Sequence, residues 1–209
     1  MAKILHIQSS PRGSRSASIE VAGHFIASYL ATHPGDSVET LDLWQEDLPE
    51  FDGFTLDAKY SVLGGQSPEA EQIAAWGRVV SLADHFKSAD KILFSLPMWN
   101  FGIPYKLKHY IDLLVQPGLT FSYTPEEGYK GLVTGKPAAA VYARGGAYGP
   151  GTGAESYDQQ SAYLKQVLGF IGFTDVSEVF VEPTLAGPDA KNAAVANANQ
   201  AAAGIAATF

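Results

Sequence analysis

Cysteine is absent from all 209 residues. That excludes disulfides, iron–sulfur clusters, thiolate zinc sites and cysteine nucleophiles. Long apolar runs are missing too: no segment reaches the ~18 consecutive apolar residues of a membrane span. Charge is scarce, at 17% of residues, and unbalanced: 14 Lys plus Arg against 22 Asp plus Glu leave −8. An acidic chain without a basic stripe argues against general nucleic-acid binding and against adhesion to anionic membrane. Met1 to Gln8 lacks the apolar core and small-residue cleavage site of a secretory signal. A soluble, cytoplasmic protein is the expectation. What is abundant is apolar, 46% of residues, with 21 glycines. This is the composition of a buried fold, not of disorder. The length suits a single domain, taken as residues 1–209, which at this size buries about 70% of its unfolded surface.

Strand and helix signals alternate along the whole chain. Lys3 to Gln8 is a short apolar run, and Ser9 to Arg15 is a turn. From Ser16, Ile19, Ala22, Phe25, Ile26, Tyr29 and Leu30 recur at helical spacing until His33-Pro34-Gly35-Asp36 stops them. Ser37 to Leu43 reads as a weaker strand, and Gln45 to Gln66 as a long connection without period. Ser67-Pro68-Glu69 starts a helix: a capping hydroxyl, a proline at the first position, then an acid at the positive end. Ile73, Trp76, Val80, Ala83 and Phe86 mark its face.

Lys91 to Pro97 is nearly all apolar, as a strand buried on both faces of a parallel sheet must be. Pro104 opens a helix that Gly118 ends. Thr120 to Lys136 predicts a small hairpin, Pro137 to Ala143 a fourth strand, and Tyr157 to Leu168 a helix. Phe173 to Val181 is a fifth strand. An alanine-dominated tail from Asp189, with 10 Ala in 21 residues, reads as a final helix. Strands alternating with helices predict an α/β fold: a doubly wound, five-stranded parallel sheet with helices on both faces. Its expected order is 2-1-3-4-5, the flavodoxin-like arrangement. Ligands of such sheets bind outside the carboxyl ends of the strands, at the switch point.

Three loops fall at that edge. Ser9-Ser10-Pro11-Arg12-Gly13-Ser14-Arg15-Ser16-Ala17-Ser18 runs from a strand into a helix start, where free N–H groups favour an anion. It lacks the glycine spacing of a dinucleotide site and the Gly-Lys-Ser/Thr of a triphosphate site, which leaves a monophosphate. Simple helix capping by the same serines is the plainer alternative. Met98-Trp99-Asn100-Phe101 pairs an apolar lining with one amide, a seat for a flat heteroaromatic ring. Core packing is the alternative there, although these residues lie beyond the end of the strand. Ala143-Arg144-Gly145-Gly146 supplies paired glycines, which let a backbone approach a ligand closely or simply make a mobile turn. The conjunction of the three is the layout of a flavin mononucleotide site.

At these residues the chain resembles the FMN-dependent NADH-azoreductases, also described as FMN-dependent NADH:quinone oxidoreductases. The resemblance runs through Ser9-Ser10, Ser16-Ala17-Ser18, Met98-Trp99-Asn100-Phe101 (Tyr in the family where Trp99 stands) and Ala143-Arg144-Gly145-Gly146 (Ser where Ala143 stands). Thr120 to Thr124, Gly131 to Lys136 and Leu168 to Gly172 also match, so it covers Lys3 to Gly187. It implies a homodimer with FMN as cofactor and NADH as electron donor, acting on quinones and azo compounds. By position, Ser10, Ser16, Ala17 and Ser18 would hold the phosphate. Met98, Trp99, Asn100 and Phe101 would contact ribityl and ring, and Ala143, Arg144, Gly145 and Gly146 would border the pyrimidine end. No side chain is assigned a covalent catalytic role, because the flavin carries the hydride.

Other motifs lead nowhere. Gly35-Asp36-Ser37 is a turn before a strand, and Gly131 to Lys136 enters a strand instead of leaving one. The five histidines show no metal-ligand spacing. Arg12, Arg15 and Arg144 could aid phosphates, but isolated arginines are usually solvated. The rival functions are a flavodoxin-type electron carrier without its own NADH reaction and a flavin-free binding protein. A receiver domain fits worse, for want of an Asp cluster at the strand ends. The stretches Gln45 to Gln66 and Phe121 to Lys136 exceed what a minimal carrier needs and read as pocket walls.

Overall fold

A computed structural model describes residues 1–66 and 69–209. Five strands form one parallel sheet: β1 (Lys3–Gln8), β2 (Ser37–Asp42), β3 (Lys91–Pro97), then, after a separate antiparallel hairpin of β4 (Phe121–Thr124) and β5 (Gly128–Gly131), β6 (Pro137–Ala143) and β7 (Asp175–Val181). Their order is β2-β1-β3-β6-β7, all neighbours parallel. This is the expected order once the hairpin strands are set aside. Among the described residues five α-helices lie between the strands, α1 (Ala17–Thr32), α2 (Gly53–Leu63), α3 (Ala70–Ser88), α4 (Tyr105–Leu114) and α5 (Gln159–Ile171), and a sixth, α6 (Pro188–Ala206), follows β7.

Side chains alternate across the sheet, as the pleat requires. On β3, Ile92, Phe94 and Leu96 face a core built with α3, α4 and α5, while Leu93 faces a second core built with α1 and α6. The β6 alanines divide the same way, Ala138 and Ala140 to one side and Ala139 to the other. The tail helix owes its place to residue size. Ala194, Ala198, Ala202 and Ala206 are buried at four-residue intervals, against α1 residues such as Val21, Ala22 and Phe25. Methyl-sized contacts let two helices lie close together over the sheet.

Two expectations change. The connection Gln45 to Gln66 contains α2, capped by the Asp52 carboxylate, which accepts from the Thr55 N–H at 2.9 Å. Only Thr55 and Ala58 of that helix are buried, so it carries no apolar stripe for the sequence to display. The expected helix start at Ser67 and Pro68 lies outside the described residues. Within them Glu69 takes the capping position of α3, and its own N–H donates to Gln72 Oε1 at 3.0 Å. The final strand also begins later, at Asp175, because Phe173 turns into the core and meets Phe86 edge-on.

The hairpin is docked through a glycine contact. A Cβ on Gly131 would lie 2.3 Å from Gly172 N and 2.4 Å from the Ile171 carbonyl carbon. No side chain can flex away there, since both obstacles are backbone. The close approach lets Val133 N–H donate to the Ile171 carbonyl at 2.8 Å. We predict that Gly131→Ala lowers unfolding stability by about 1–3 kcal/mol, the usual range for an overpacked contact. Urea denaturation of both proteins checks this; an unchanged midpoint and slope contradict it.

Candidate functional site

The parallel register brings Gln8 opposite Ser95, Pro97 opposite Ala143, and Ala143 opposite Val181. The loops leaving these strands therefore gather at one edge. A cavity of about 240 Å³ lies among them, lined by Ser10, Arg12, Arg15, Ser16 and Ala17 of the first loop, Met98 and Trp99 of the second, and Ala143 and Gly145 of the third. A second cavity, of about 720 Å³, shares Met98, Gly145 and Leu185 as a common wall with the first. It adds Asn100, Phe101, Gly146 and Tyr148. Beyond Trp99 and Asn100 opens a groove of about 1120 Å³ walled by Phe51, Tyr105, His109 and Tyr163.

The first loop is a polar turn over the start of α1. Ser9, Ser10, Ser16 and Ser18 are all buried. Ser9 N–H donates to the Ser95 carbonyl at 3.0 Å, which pins the loop to β3. Ser16 and Ser18 hydroxyls lie 3.1 Å apart. No side chain caps α1 at Ser16. The unpaired first-turn N–H groups of a 16-residue helix, with Arg12, Arg15 and Lys191 on the same cavity, suit an anion.

The second loop is a tight turn. Trp99 and Gly102 exchange two backbone hydrogen bonds, at 3.0 and 2.9 Å. The two residues between them both take positive φ, Asn100 at 46° and Phe101 at 71°. Asparagine tolerates this region, but for phenylalanine it is strain on the order of 1–3 kcal/mol. The surroundings hold it. Phe101 stacks on Tyr157 with ring centres 5.2 Å apart, and its carbonyl accepts from Gln159 N–H at 3.1 Å. Trp99 packs 6.0 Å from Trp44, whose indole N–H donates to the Ser9 carbonyl at 3.0 Å.

The third loop departs from expectation at Arg144. Its side chain is not solvated; it is 1% exposed and lines neither cavity. It turns beneath the loop, donating from Nη2 to Asp158 Oδ2 at 2.7 Å, from Nη1 to Glu182 Oε2 at 3.3 Å and from Nε to Gln160 Oε1 at 3.0 Å. The Phe180 ring lies 4.4 Å from the guanidinium carbon. Burial pushes the Asp158 carboxyl up, but hydrogen bonds from the Ser161 hydroxyl and N–H, with the charge and hydrogen bond of Arg144, hold it below its ordinary range. Gly145 meets the end of the Leu185 side chain, with room for no Cβ in that rotamer.

Ser10, Ser16, Ala17, Met98, Trp99, Asn100, Phe101, Ala143, Gly145 and Gly146 thus border the two adjoining cavities, while Ser18 sits just behind, bonded to Ser16. The sequence reading missed a fourth contributor, the segment after β7. Thr184, Leu185 and Lys191 line the first cavity, and Pro183 and Ala186 the second. The carboxyl end of the fifth strand was signal enough to include it. Of the expected pocket walls, Leu48, Glu50 and Phe51 line the groove, whereas the β4–β5 hairpin lines none of the three spaces within this single chain.

The fold and edge site define an open α/β protein of the flavodoxin-like class, and the flavodoxin-like fold family matches residues 2–205. An FMN-dependent NADH:quinone oxidoreductase of Nitratidesulfovibrio vulgaris (strain DP4) is 50% identical over 210 residues, covering 100% of both chains. An azoreductase from Bacillus anthracis str. Sterne superposes with a TM-score of 0.90 at 33% identity, covering 100% of each chain. An FMN-dependent NADH-azoreductase from Bacillus anthracis str. Ames Ancestor, solved in complex with FMN, gives 0.87 at 29% identity, covering 99% of this chain and 100% of that one. The chain belongs to the flavodoxin-like family, among its FMN-dependent NADH:quinone oxidoreductases and azoreductases.

Directly behind the first loop, His6 Nε2 lies 2.9 Å from Ser95 Oγ, and burial lowers its pKa from the ordinary 6.5 to about 4. The unfolded chain therefore binds a proton more readily than the folded one between these values, so stability falls as pH drops through that window. We predict that His6 accounts for a loss of about 2 kcal/mol between pH 7.5 and pH 5. Urea melts of wild type and His6→Asn at both pH values measure it, and equal pH dependence in the two contradicts it.

Proposed function

We propose that the chain is an FMN-dependent oxidoreductase that uses NADH to reduce quinones and azo compounds. The observation that carries the reading is the convergence of an uncapped helix start, an apolar–amide turn and a glycine loop on two adjoining cavities. The residues present fit the group. Buried serines and the uncapped start of α1 match a terminal phosphate. Met98, Asn100 and Phe101 match a flat ring, with Gly145 and Gly146 allowing backbone close to its edge.

Bound there, FMN would supply two-electron redox chemistry between NADH and the acceptor. The protein's part is placement. Ser10 and Ser16 with the α1 amides would anchor the phosphate, and Ser18 would brace the Ser16 hydroxyl from behind. The strained Trp99–Gly102 turn places Asn100 and Phe101 on the cavity wall, where they would hold the ring. Backbone N–H groups at Gly145 and Gly146 favour negative charge at the pyrimidine end. Donor and acceptor use the same open space in turn, so the kinetics are ping-pong.

A homodimer belongs to this reading. Tyr123 and Tyr129 are 58% and 68% exposed and cluster with Phe121 and Phe170 on the hairpin and α5, which gives a second copy an apolar surface. A cytoplasmic location follows from the use of NADH. It is compatible with the described residues, where no helix is long and apolar enough to cross a membrane.

The test is an absorbance spectrum of FMN-reconstituted protein under anaerobic conditions. The flavin band should bleach with NADH and return with benzoquinone, and initial-rate plots should give parallel lines. A band indifferent to both NADH and NADPH means an electron carrier instead.

A further inference from the structure

We propose that Arg144 is a positioning residue whose buried guanidinium sets the Phe101 turn and the Gly145–Gly146 loop in the one relative placement that seats the flavin ring. The inference rests on the FMN reading of the site. It starts from a cation with no exposure and no face on either cavity. Burying a charge is expensive unless it is fully paired. The pairing is thorough: Asp158, Glu182 and Gln160 together accept from Nη2, Nη1 and Nε. Buried ion groups of this kind add little net stability over well-packed apolar side chains. What this one does supply is a planar fork with fixed donor directions.

Each acceptor leads to a different part of the site. Glu182 Oε2 also accepts from Tyr148 N–H at 3.2 Å, which ties down the far side of the glycine loop. Asp158 caps α5, accepting from Ser161 N–H at 2.9 Å. The next residue, Gln159, donates its N–H to the Phe101 carbonyl at 3.1 Å, at the strained apex of the second loop. The Arg144 carbonyl in turn accepts from Thr184 N–H at 2.9 Å and Thr184 Oγ1 at 2.8 Å, which holds the segment after β7. One cation thus joins both ring-end loops, while the phosphate-end serines lie outside its network.

That separation makes the claim testable with two ligands that share a ring. Riboflavin has the ring and ribityl chain of FMN without the phosphate. Binding of FMN and of riboflavin to full-length apoprotein would be measured by flavin fluorescence for wild type, Arg144→Met, Arg144→Lys and Glu182→Gln. Each variant is assayed at a temperature where its far-UV circular dichroism matches wild type. The expected result is a loss of about tenfold or more for Arg144→Met toward both ligands, the ratio of the two dissociation constants holding within about twofold. Arg144→Lys, which keeps the charge without the fork, should recover part of the loss. Ser16→Ala, as the opposite case, should weaken FMN and spare riboflavin. Folded Arg144→Met that binds both ligands like wild type overturns the proposal, as does a loss confined to FMN. If Arg144→Met does not fold, Arg144→Lys and Glu182→Gln decide by the same criteria. Wild type that binds neither ligand overturns the FMN reading and this inference with it; wild type that binds beside variants that bind equally well overturns this inference alone.

Discussion

Parallel pairing is the constraint from which the rest of the molecule follows. Because all five strands of the main sheet run the same way, every crossover must return through a helix, and those helices cover both faces. The strands β1, β3 and β6 are left with almost no solvent-facing side chains. Chemistry then has few places to go except the two edges where strands end. At the carboxyl edge the loops after β1, β3, β6 and β7 start from positions paired across the sheet, so residues far apart in sequence share one small volume. The site is a consequence of the register.

That edge is also where the protein spends its stability. Two adjacent non-glycine residues sit at positive φ, a charge is buried, and a histidine is kept neutral in the core. Each is costly in isolation. Each is held by something rigid: the Trp99–Gly102 bonds and the Tyr157 ring, the carboxylates at the start of α5 and the end of β7, and the Ser95 hydroxyl. Strain concentrated beside cavities, with relaxed geometry through the helices, is the distribution expected when a scaffold is used to hold a site.

How much of this the sequence shows depends on whether burial leaves a pattern. Buried on both faces, Lys91–Pro97 and Pro137–Ala143 read as apolar runs, and their bounds agree with the structure. Met98 to Phe101 and Ser9 to Ser18 were legible because polar and aromatic residues stand just past such runs. The helix at Gly53–Leu63 was not, since two small buried residues give no period. Nor was the role of the Arg144 side chain. Nothing local distinguishes a solvated arginine from one that meets Asp158, Glu182 and Gln160, because its partners lie up to 38 residues away and are brought near only by the turn into α5 and the end of β7. The segment Pro183 to Lys191 is a different case: its residue types carry no signal, and only its place after the fifth strand marks it as part of the edge.

The tryptophan in the second loop shows how a departure from a family pattern is absorbed. An indole at position 99 offers no phenol, and its larger ring must be packed. Trp44 and Tyr105 provide that packing, with ring centres 6.0 and 6.2 Å from Trp99 and 5.4 Å from each other. Trp44 then spends its own N–H on the Ser9 carbonyl, at the root of the first loop. The aromatic group thus does more than fill space, because it fastens the second loop to the first. A tyrosine at position 99 would give up contact area with Trp44 and so loosen that link, whatever its hydroxyl met. The residue at position 99 is therefore coupled to the first loop through Trp44.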